Sequence, residues 1–208
     1  MKTATDYMIA RLNEKAVIQP RGPLLAASSG APGGQTTYIY SQHRHIRNLN
    51  PLTDFDRALK VCSDSGIVKG DLLDYNGVFY LAMLLDPRMT GTGFLEYYLC
   101  SAYICNSVVT VYTFNETTRK FDIEVNSGVH CLLNQMTTNT VDDETIAVKT
   151  YGGRSQLFEL WAQMDSGITK DCILVDQSGR RFRISKEYDP FIDENILRSK
   201  AQWEANAS

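Results

Sequence analysis

Several features that identify common protein classes are missing from this sequence. There is no run of eighteen apolar residues for a membrane-spanning helix, and residues 1–6 lack the long apolar core of a secretory signal. Basic residues are not in excess, because 21 Lys and Arg stand against 24 Asp and Glu and give a formal charge of −3. We therefore expect synthesis in the cytosol, and we do not expect bare nucleic acid to be the main partner.

Cysteine is sparse, and its spacing predicts no cross-link. The five cysteines are odd in number and include no CxxC pair, so neither a disulfide framework nor a zinc finger is predicted. We interpret them as reduced core residues, since a free cysteine packs as a small hydrophobic side chain. They are Cys62, Cys100, Cys105, Cys131 and Cys172.

Motifs for catalysis and cofactor binding are absent as well. The sequence has no GxxxxGK[ST] phosphate loop, no GxGxxG, no GxSxG elbow and no HExxH. His43 and His45 would share one face of a strand, but two histidines are too few ligands for a zinc site. Asp71 with Asp74, and the acidic run 142–144, are typical of solvated turns. We predict no enzymatic activity, no metal site and no cofactor.

What the sequence does contain is a strong β-hairpin signal at Asn76 and Gly77. Both residues tolerate the positive φ of a type I′ turn, and they lie between two runs, within 70–85, that are rich in apolar and aromatic residues. Two further runs, 94–105 and 107–114, are rich in Tyr, Val and Thr, which suit a pleated, half-buried surface. These four runs predict a continuous antiparallel sheet.

Shorter patterns complete the predicted fold. We predict further strands at 36–40, 121–125, 129–133, 145–150, 157–162, 172–175 and 181–185, with a break at 126–128 and a hairpin turn at 176–180. Short helices are predicted at 7–15, within 51–60 and at 194–204, each after a residue that can cap a helix. Because no long helices alternate with the strands, the fold class is mainly β, a small antiparallel β-barrel or sandwich with short N- and C-terminal helices.

The predicted domains follow from this order. Residues 1–36 form an N-terminal helix and a flexible Gly/Pro/Ser-rich arm, 37–190 a β-rich barrel or sandwich, and 191–208 a C-terminal helical tail. The composition of residues 21–35 is typical of a segment that becomes ordered on binding, and equally of an idle surface loop. The arm residues expected at a subunit interface are Arg21, Leu24, Leu25, Ser28 and Gln35.

A basic stretch follows the strand at 36–40. Its candidate residues are His43, Arg44, His45 and Arg47. In a channel for nucleic acid, such side chains would attract phosphates without reading the base sequence. The alternative is a cationic strand at a protein interface.

The central stretch, residues 67–82 and 99–106, resembles the head-closure or stopper proteins in the neck of tailed bacteriophages. In that family a strand ending in Gly-Asp precedes a Gly-centred hairpin with a Tyr-Leu strand, and a later strand ends near Cys-Asn. The corresponding residues here are Gly70, Asp71, Asn76, Gly77, Tyr80, Leu81, Cys105 and Asn106. A helix and a mobile loop precede the barrel in that family, as predicted for residues 6–35.

The resemblance implies a ring-forming virion protein of the phage neck, made in the host cytoplasm, that joins the portal of the DNA-filled head to the tail. Such a ring lines the channel through which the genome leaves. Its partners would be further copies of itself, the portal or adaptor protein and tail proteins, with non-specific contact to DNA in the channel and none to a membrane. Two alternatives stay open: a capsid decoration or other accessory virion protein, and a small β-fold hydrolase.

Overall fold

The computed structural model of the protein describes residues 15–19, 35–42, 56–63, 65–75, 77–136, 156–184, 190–193 and 195–204. For residues 15–19, 35–42 and 56 it describes the backbone alone. The chain divides into a first unit, 1–105, and a second unit, 106–208. The boundaries predicted near residues 36 and 190 do not coincide with this division.

The first unit is a closed antiparallel barrel. Its strands are β1 (Lys15–Gln19), β2 (Gln35–Gln42), β3 (Asp56–Cys62), β4 (Leu72–Tyr75), β5 (Val78–Met89) and β6 (Leu95–Ile104). They pair in the order β1-β2-β3-β6-β5-β4, and β4 pairs with β1 to close the barrel. The predicted mainly β fold and the antiparallel barrel are confirmed.

The core of the first unit is formed by side chains from β3, β4, β5 and β6 and from the β3–β4 connection. Leu59 and Val61 of β3 are fully buried in it, which shows apolar residues recurring at the period of a strand. The helix predicted within 51–60 is therefore wrong over residues 56–60. The buried core residues are Leu59, Val61, Ile67, Leu73, Tyr80, Ala82, Cys100 and Ala102.

The second unit is a curled antiparallel sheet. Its strands are β7 (Ser107–Asn115), β8 (Lys120–Gln135), β9 (Leu157–Gln163), β10 (Ile173–Asp176), β11 (Arg181–Arg183), β12 (Phe191–Asp193) and β13 (Ile196–Glu204). The order is β11-β10-β7-β8-β9-β13-β12, and an additional pairing joins β11 to β13. That pairing closes a circuit of strands, with β12 as an addition on β13.

The C-terminal helix predicted at 194–204 is wrong, because β13 occupies this segment. It pairs with β9 from Ile196, opposite Gln163, to Gln202, opposite Leu157. Leu197, Ser199 and Ala201 are buried while the residues between them are less so, which is the alternation of a strand. Of the helix predicted at 7–15, Lys15 begins β1 and the remainder lies outside the described residues.

The break predicted at 126–128 is also wrong, because β8 runs without interruption from Lys120 to Gln135. The pairing between β7 and β8 shifts register on either side of Val111, which marks a β-bulge. A bulge adds a residue to one strand and bends it without ending it. The two strands predicted at 121–125 and 129–133 are therefore one bent strand.

The two units share one strand order. When β12 is left out of the count, the strands of each unit form the circuit first, second, third, sixth, fifth, fourth, and β12 lies beside β13, the sixth strand of the second unit in this count. Pairs inside the units also correspond. Leu73 lies opposite Tyr80 in the first unit, and Leu174 lies opposite Phe182 in the second, all four being buried.

A short sequence repeats at the same place in both units. Residues 64–67 and 165–168 both read Asp-Ser-Gly-Ile, and each copy follows the third strand of its unit. In both copies the serine and the isoleucine are buried, and the glycine has a positive φ, of 65° and 77°. A lysine follows two residues later in each, as Lys69 and Lys170. The repeat therefore marks one kind of turn, used twice.

The hydrogen bonds after this turn repeat as well. In the first unit the Gly70 amide donates to the Ala82 carbonyl (2.8 Å), the Asp71 amide to Val68 (3.2 Å), and the Ala82 amide to Asp71 (2.9 Å). Asp171 in the second unit shares with Gly70 a positive φ, of 63° against 90°. The equivalent bonds run from Asp171 to Ile184, Cys172 to Thr169 and Ile184 to Cys172, at 2.7, 3.4 and 3.0 Å.

Candidate interaction surfaces

The Gly70-Asp71 turn, singled out by the sequence, organises the backbone. Asp71 is only 4% exposed, and one of its carboxylate oxygens accepts the Val68 amide at 2.8 Å. The Asp71 carbonyl accepts the Ala82 amide, which ties the turn to β5. A buried carboxylate needs such partners, because an ionised group without hydrogen bonds is costly to bury. The turn thus fixes where β4 begins.

The hairpin predicted around residues 76 and 77 is confirmed by the pairing of β4 with β5, from Leu72 opposite Leu81 to Tyr75 opposite Val78. Gly77 has a φ of 78°, a value that glycine adopts without strain. Its amide donates to a carboxylate oxygen of Asp74 at 3.0 Å. Asn76 lies outside the described residues.

Most of the other residues predicted for a site lie outside the described residues. This holds for Arg21, Leu24, Leu25 and Ser28 of the arm, for His43, Arg44, His45 and Arg47 of the basic stretch, and for the acidic run 142–144. Gln35 is the first residue of β2, and it lies opposite Ile18 of β1. The roles predicted for these residues stay predictions.

The cysteines are free, as interpreted from the sequence. Cys62, Cys100, Cys131 and Cys172 are buried and Cys105 is partly buried. Burial raises the pKa of Cys100 and of Cys105 to about 12 and that of Cys172 to about 11. Thiols of such high pKa are protonated at neutral pH and are poor nucleophiles.

Within the described ranges, no group of three or more His, Cys, Asp or Glu side chains is arranged to hold a metal ion. His130 and Cys131 are neighbours in β8, so they direct their side chains to opposite faces of the sheet. No helix in this part of the chain is long and apolar enough to span a membrane.

The β5–β6 hairpin carries the most exposed large apolar side chains among the described residues of the first unit. Phe94 is 72% exposed, Met89 59% and Leu84 52%. The Thr90 amide donates to the Phe94 carbonyl at 2.8 Å, and the Phe94 amide donates to the Thr90 hydroxyl at 3.1 Å. The turn therefore holds the backbone of Phe94 in a defined place at the tip.

The tip of this hairpin is a two-stranded ribbon. β4 pairs with β5 only as far as Leu81, and β3 pairs with β6 only as far as Tyr97. The tip is held by the pairing of Met89 with Leu95. Residues 88–96 therefore pair with each other and with no further strand among those described.

The second unit exposes apolar side chains on β12. Phe191 is 66% exposed and Ile192 49%. β12 pairs with the start of β13, with Phe191 opposite Arg198 and Asp193 opposite Ile196. β12 is the last strand in the order of the described sheet, and backbone groups along an edge strand can pair with another chain.

These two exposed surfaces lie on corresponding hairpins, the ones that lead into the last strand of each unit, although their exposed side chains are not at matching positions. Cys62 and Gln163 are equivalent, because each is the last residue of a third strand and lies two residues before the repeated turn. Cys62 lies opposite Tyr97 of β6, and Gln163 lies opposite Ile196 of β13. On the other side of Tyr97 and Ile196, β6 pairs with residues 86–88 of β5 and β13 pairs with β12. We call the first surface (Leu84, Met89, Phe94) the tip surface and the second (Phe191, Ile192) the edge surface.

A third apolar group lies on the β7–β8 hairpin. Phe114 and Ile123 are each 45% exposed, and Val125 is 37% exposed. Phe114 packs edge-on against Phe121 with ring centroids 5.3 Å apart, and the Arg183 guanidinium lies 5.0 Å from the centre of the Phe121 ring. The equivalent connection of the first unit, residues 20–34, lies outside the described residues.

Sequence reasoning did not single out the tip surface or the edge surface. Phe94 was predicted only as the start of a strand-forming run, and residues 191–193 were placed in a helical tail. The signal that could have found the tip is an aromatic residue, Phe94, directly after a Gly-rich turn of a long hairpin. No protein-family model, curated protein or solved structure matches this chain.

Proposed function

We propose that the protein is a structural subunit that assembles with further copies of itself into a ring in the neck of a tailed-phage virion. There it joins the portal of the head to the tail and lines the channel for the genome. The observation that carries this proposal is the presence of two different exposed apolar surfaces, at Phe94 and at Phe191, on units built of β-strands. A closed ring requires two unlike, complementary surfaces on every subunit.

The buried ionisable groups of the described residues support assembly rather than chemistry. The Asp71 carboxylate holds the turn before β4, and Asp176 holds the turn between β10 and β11. The pKa values of Cys100 and Cys172 are raised by burial. Each of these groups therefore has a structural role or is held in its unreactive form.

The resemblance of residues 67–82 to head-closure proteins supports the neck as the location. The formal charge of −3 also suits a ring around moving DNA, because a strongly basic channel would hold the genome through many phosphate contacts. A capsid decoration protein would use the same apolar surfaces on the outer shell, and the location in the virion separates these two functions.

The proposal is tested on the purified protein and on intact virions. Mass photometry and negative-stain images of the purified chain are expected to show ring-shaped oligomers with a central hole. Immunogold labelling of virions is expected to mark the head–tail junction alone. Label spread over the capsid would assign the decoration function instead, and a protein that stays monomeric and labels no particle would refute the structural function.

A further inference from the structure

We infer that the chain is a tandem duplication of one β-barrel module, and that the tip surface of one copy docks on the edge surface of the next copy. This inference names the interface of the proposed ring, and its assembly part rests on the proposed function. Three sets of observations carry it: the repeated architecture, the corresponding hairpins that carry the two surfaces, and the charges around them.

The repeated architecture is too detailed for two unrelated units. Strand order, the Asp-Ser-Gly-Ile turn, the backbone hydrogen bonds after it and the positive φ at Gly70 and Asp171 all correspond. A tetrapeptide repeat alone is weak, but here it lies at the same point of the same topology. Self-similarity of sequence and structure at one spacing is the mark of a repeated module.

Both modules expose large apolar side chains on corresponding hairpins. Phe94 and Phe191 are 72% and 66% exposed, although most other positions of the modules have diverged. Clustered, exposed apolar residues on soluble proteins mark contact sites. Because both modules expose apolar side chains on this hairpin, we assign these side chains to contact between modules.

Contact between modules determines the mode of assembly of the duplicated chain. A single module that paired through this hairpin would use the same surface on both partners and would stop at a dimer. A chain that carries the module twice presents the surface at two places. The tip surface of one chain then meets the edge surface of the next, and the contact repeats from chain to chain until a ring closes.

The charges beside the two surfaces are compatible with burial. Next to the tip surface, the Arg88 guanidinium lies 2.6 Å from the Asp86 carboxylate. Next to the edge surface, Arg198 donates to the Glu159 carboxylate at 2.8 Å. Docking would therefore bury charges that already have partners in their own chain, and unpaired buried charge is the main electrostatic penalty at an interface.

The experiment uses two blocked variants of the full chain, Phe94→Glu and Phe191→Glu. Each lacks one of the two surfaces, so each alone is expected to be monomeric, with self-association weakened at least 100-fold in mass photometry and analytical ultracentrifugation. An equimolar mixture is expected to form a heterodimer and nothing larger, because one intact tip surface and one intact edge surface remain between the two variants. Ile123→Glu, on the β7–β8 hairpin, is the matched control and is expected to assemble as the wild type does.

The outcomes separate this inference from the proposed function. If the wild type and both blocked variants all form rings, the tip-to-edge interface is refuted and the proposed ring function is retained. A wild type that is monomeric at all concentrations refutes both. Circular dichroism of each variant confirms that the fold is retained, which the exposure of both phenylalanines leads us to expect.

Disulfide trapping provides a second measurement. In the double variant Phe94→Cys, Phe191→Cys, oxidation is expected to give a ladder of covalent multimers, while each single variant stays monomeric. The native thiols at Cys100, Cys105 and Cys172 do not compete, because their pKa values are raised to about 11 or 12. A covalent dimer from either single variant, or a cross-link within one chain of the double variant, would overturn the tip-to-edge contact.

Discussion

At the scale of single residues, Gly167 in the second copy of the repeated turn is constrained both by its backbone conformation and by its neighbours. Its φ is 77°, and an added Cβ would lie 2.9 Å from a methyl carbon of Val125. We expect Gly167→Ala to lower the free energy of unfolding by about 2–4 kcal/mol, because backbone strain and overpacking add. Gly77→Ala has a similar φ but open space, and is expected to cost about 1 kcal/mol. If urea denaturation shows equal losses of unfolding free energy for Gly167→Ala and Gly77→Ala, the contact with Val125 does not add to the cost.

The two serines of the repeated turn differ in their hydrogen bonding. The Ser65 hydroxyl accepts the Ile67 amide at 3.3 Å, while the buried Ser166 hydroxyl has no hydrogen-bond partner among the described residues. We therefore expect Ser65→Ala to destabilise the protein by about 1 kcal/mol and Ser166→Ala to have no cost or a small gain. Thermal unfolding of the two variants beside the wild type measures the difference. A larger loss for Ser166→Ala would show that its hydroxyl has a partner in solution.

The stability of the protein at acid pH is expected to depend on Asp176, which holds the turn between β10 and β11. Its carboxylate accepts hydrogen bonds from the Ser178 amide and hydroxyl and from the Arg180 amide and guanidinium, at 2.7–2.9 Å. Burial acts to raise the pKa of Asp176, but these hydrogen bonds together outweigh burial and lower it. Since the folded pKa lies below the unfolded value of about 3.9, the stabilisation is present above about pH 4 and is lost as the pH falls through the folded pKa.

Asp176→Asn tests this pH dependence. We expect it to lower the free energy of unfolding by about 1.5–3 kcal/mol at pH 7, because charge-assisted hydrogen bonds are lost. The gap to the wild type is expected to narrow as the pH falls from 4 to 2, as measured by urea denaturation at each pH. If the difference in free energy of unfolding stays constant down to pH 2, the loss is due to changed packing and hydrogen-bond geometry and not to the lost charge.

At the scale of elements, hairpins with strong turn chemistry could be predicted from the sequence. The pairing of β4 with β5 follows from Asn-Gly at 76–77, and the turn before β11 follows from the polar segment 176–180. β13 could not be predicted in the same way. Ile196, Leu197 and Trp203 fit a helical spacing, and only pairing with β9 and β11, which are distant in sequence, selects the strand.

The candidate surfaces were harder to predict than the fold, for a related reason. From the sequence alone, an apolar residue such as Phe94 or Phe191 is expected to lie in the core. Its exposure depends on where the neighbouring strands stop pairing, which is a property of the whole barrel. The alternation of Leu59 with Val61 in β3 was a usable signal that the helix prediction overlooked.

The β5–β6 hairpin offers a test of one whole element. We expect that replacing residues 89–96 by Asn-Gly, which joins the Arg88–Tyr97 pair by a two-residue turn, shortens the ribbon and leaves the barrel intact, because the pairings of β4 and β3 end at Leu81 and Tyr97. The melting temperature should stay within about 4 °C of the wild type, which corresponds to less than about 1 kcal/mol, while ring formation in mass photometry is lost. A folded, shortened protein that still forms rings would remove the tip from the interface.

At the scale of the whole molecule, each unit has a core of its own, and the two cores contain equivalent leucines. Leu73 in the first unit and Leu174 in the second are both fully buried. We expect Leu73→Ala and Leu174→Ala each to cost about 2–5 kcal/mol. In calorimetry, each variant is expected to lower the transition of its own unit and leave the other in place. A single transition lowered alike by both would show that the units unfold together.

The repeated module also affects how copies of the chain are counted. In the proposed ring, each polypeptide contributes the module twice, so the ring contains twice as many modules as chains. Native mass spectrometry of the ring would report the number of chains, from which the number of modules follows. A neighbouring ring with twice as many subunits would therefore find one copy of the module for each of its subunits.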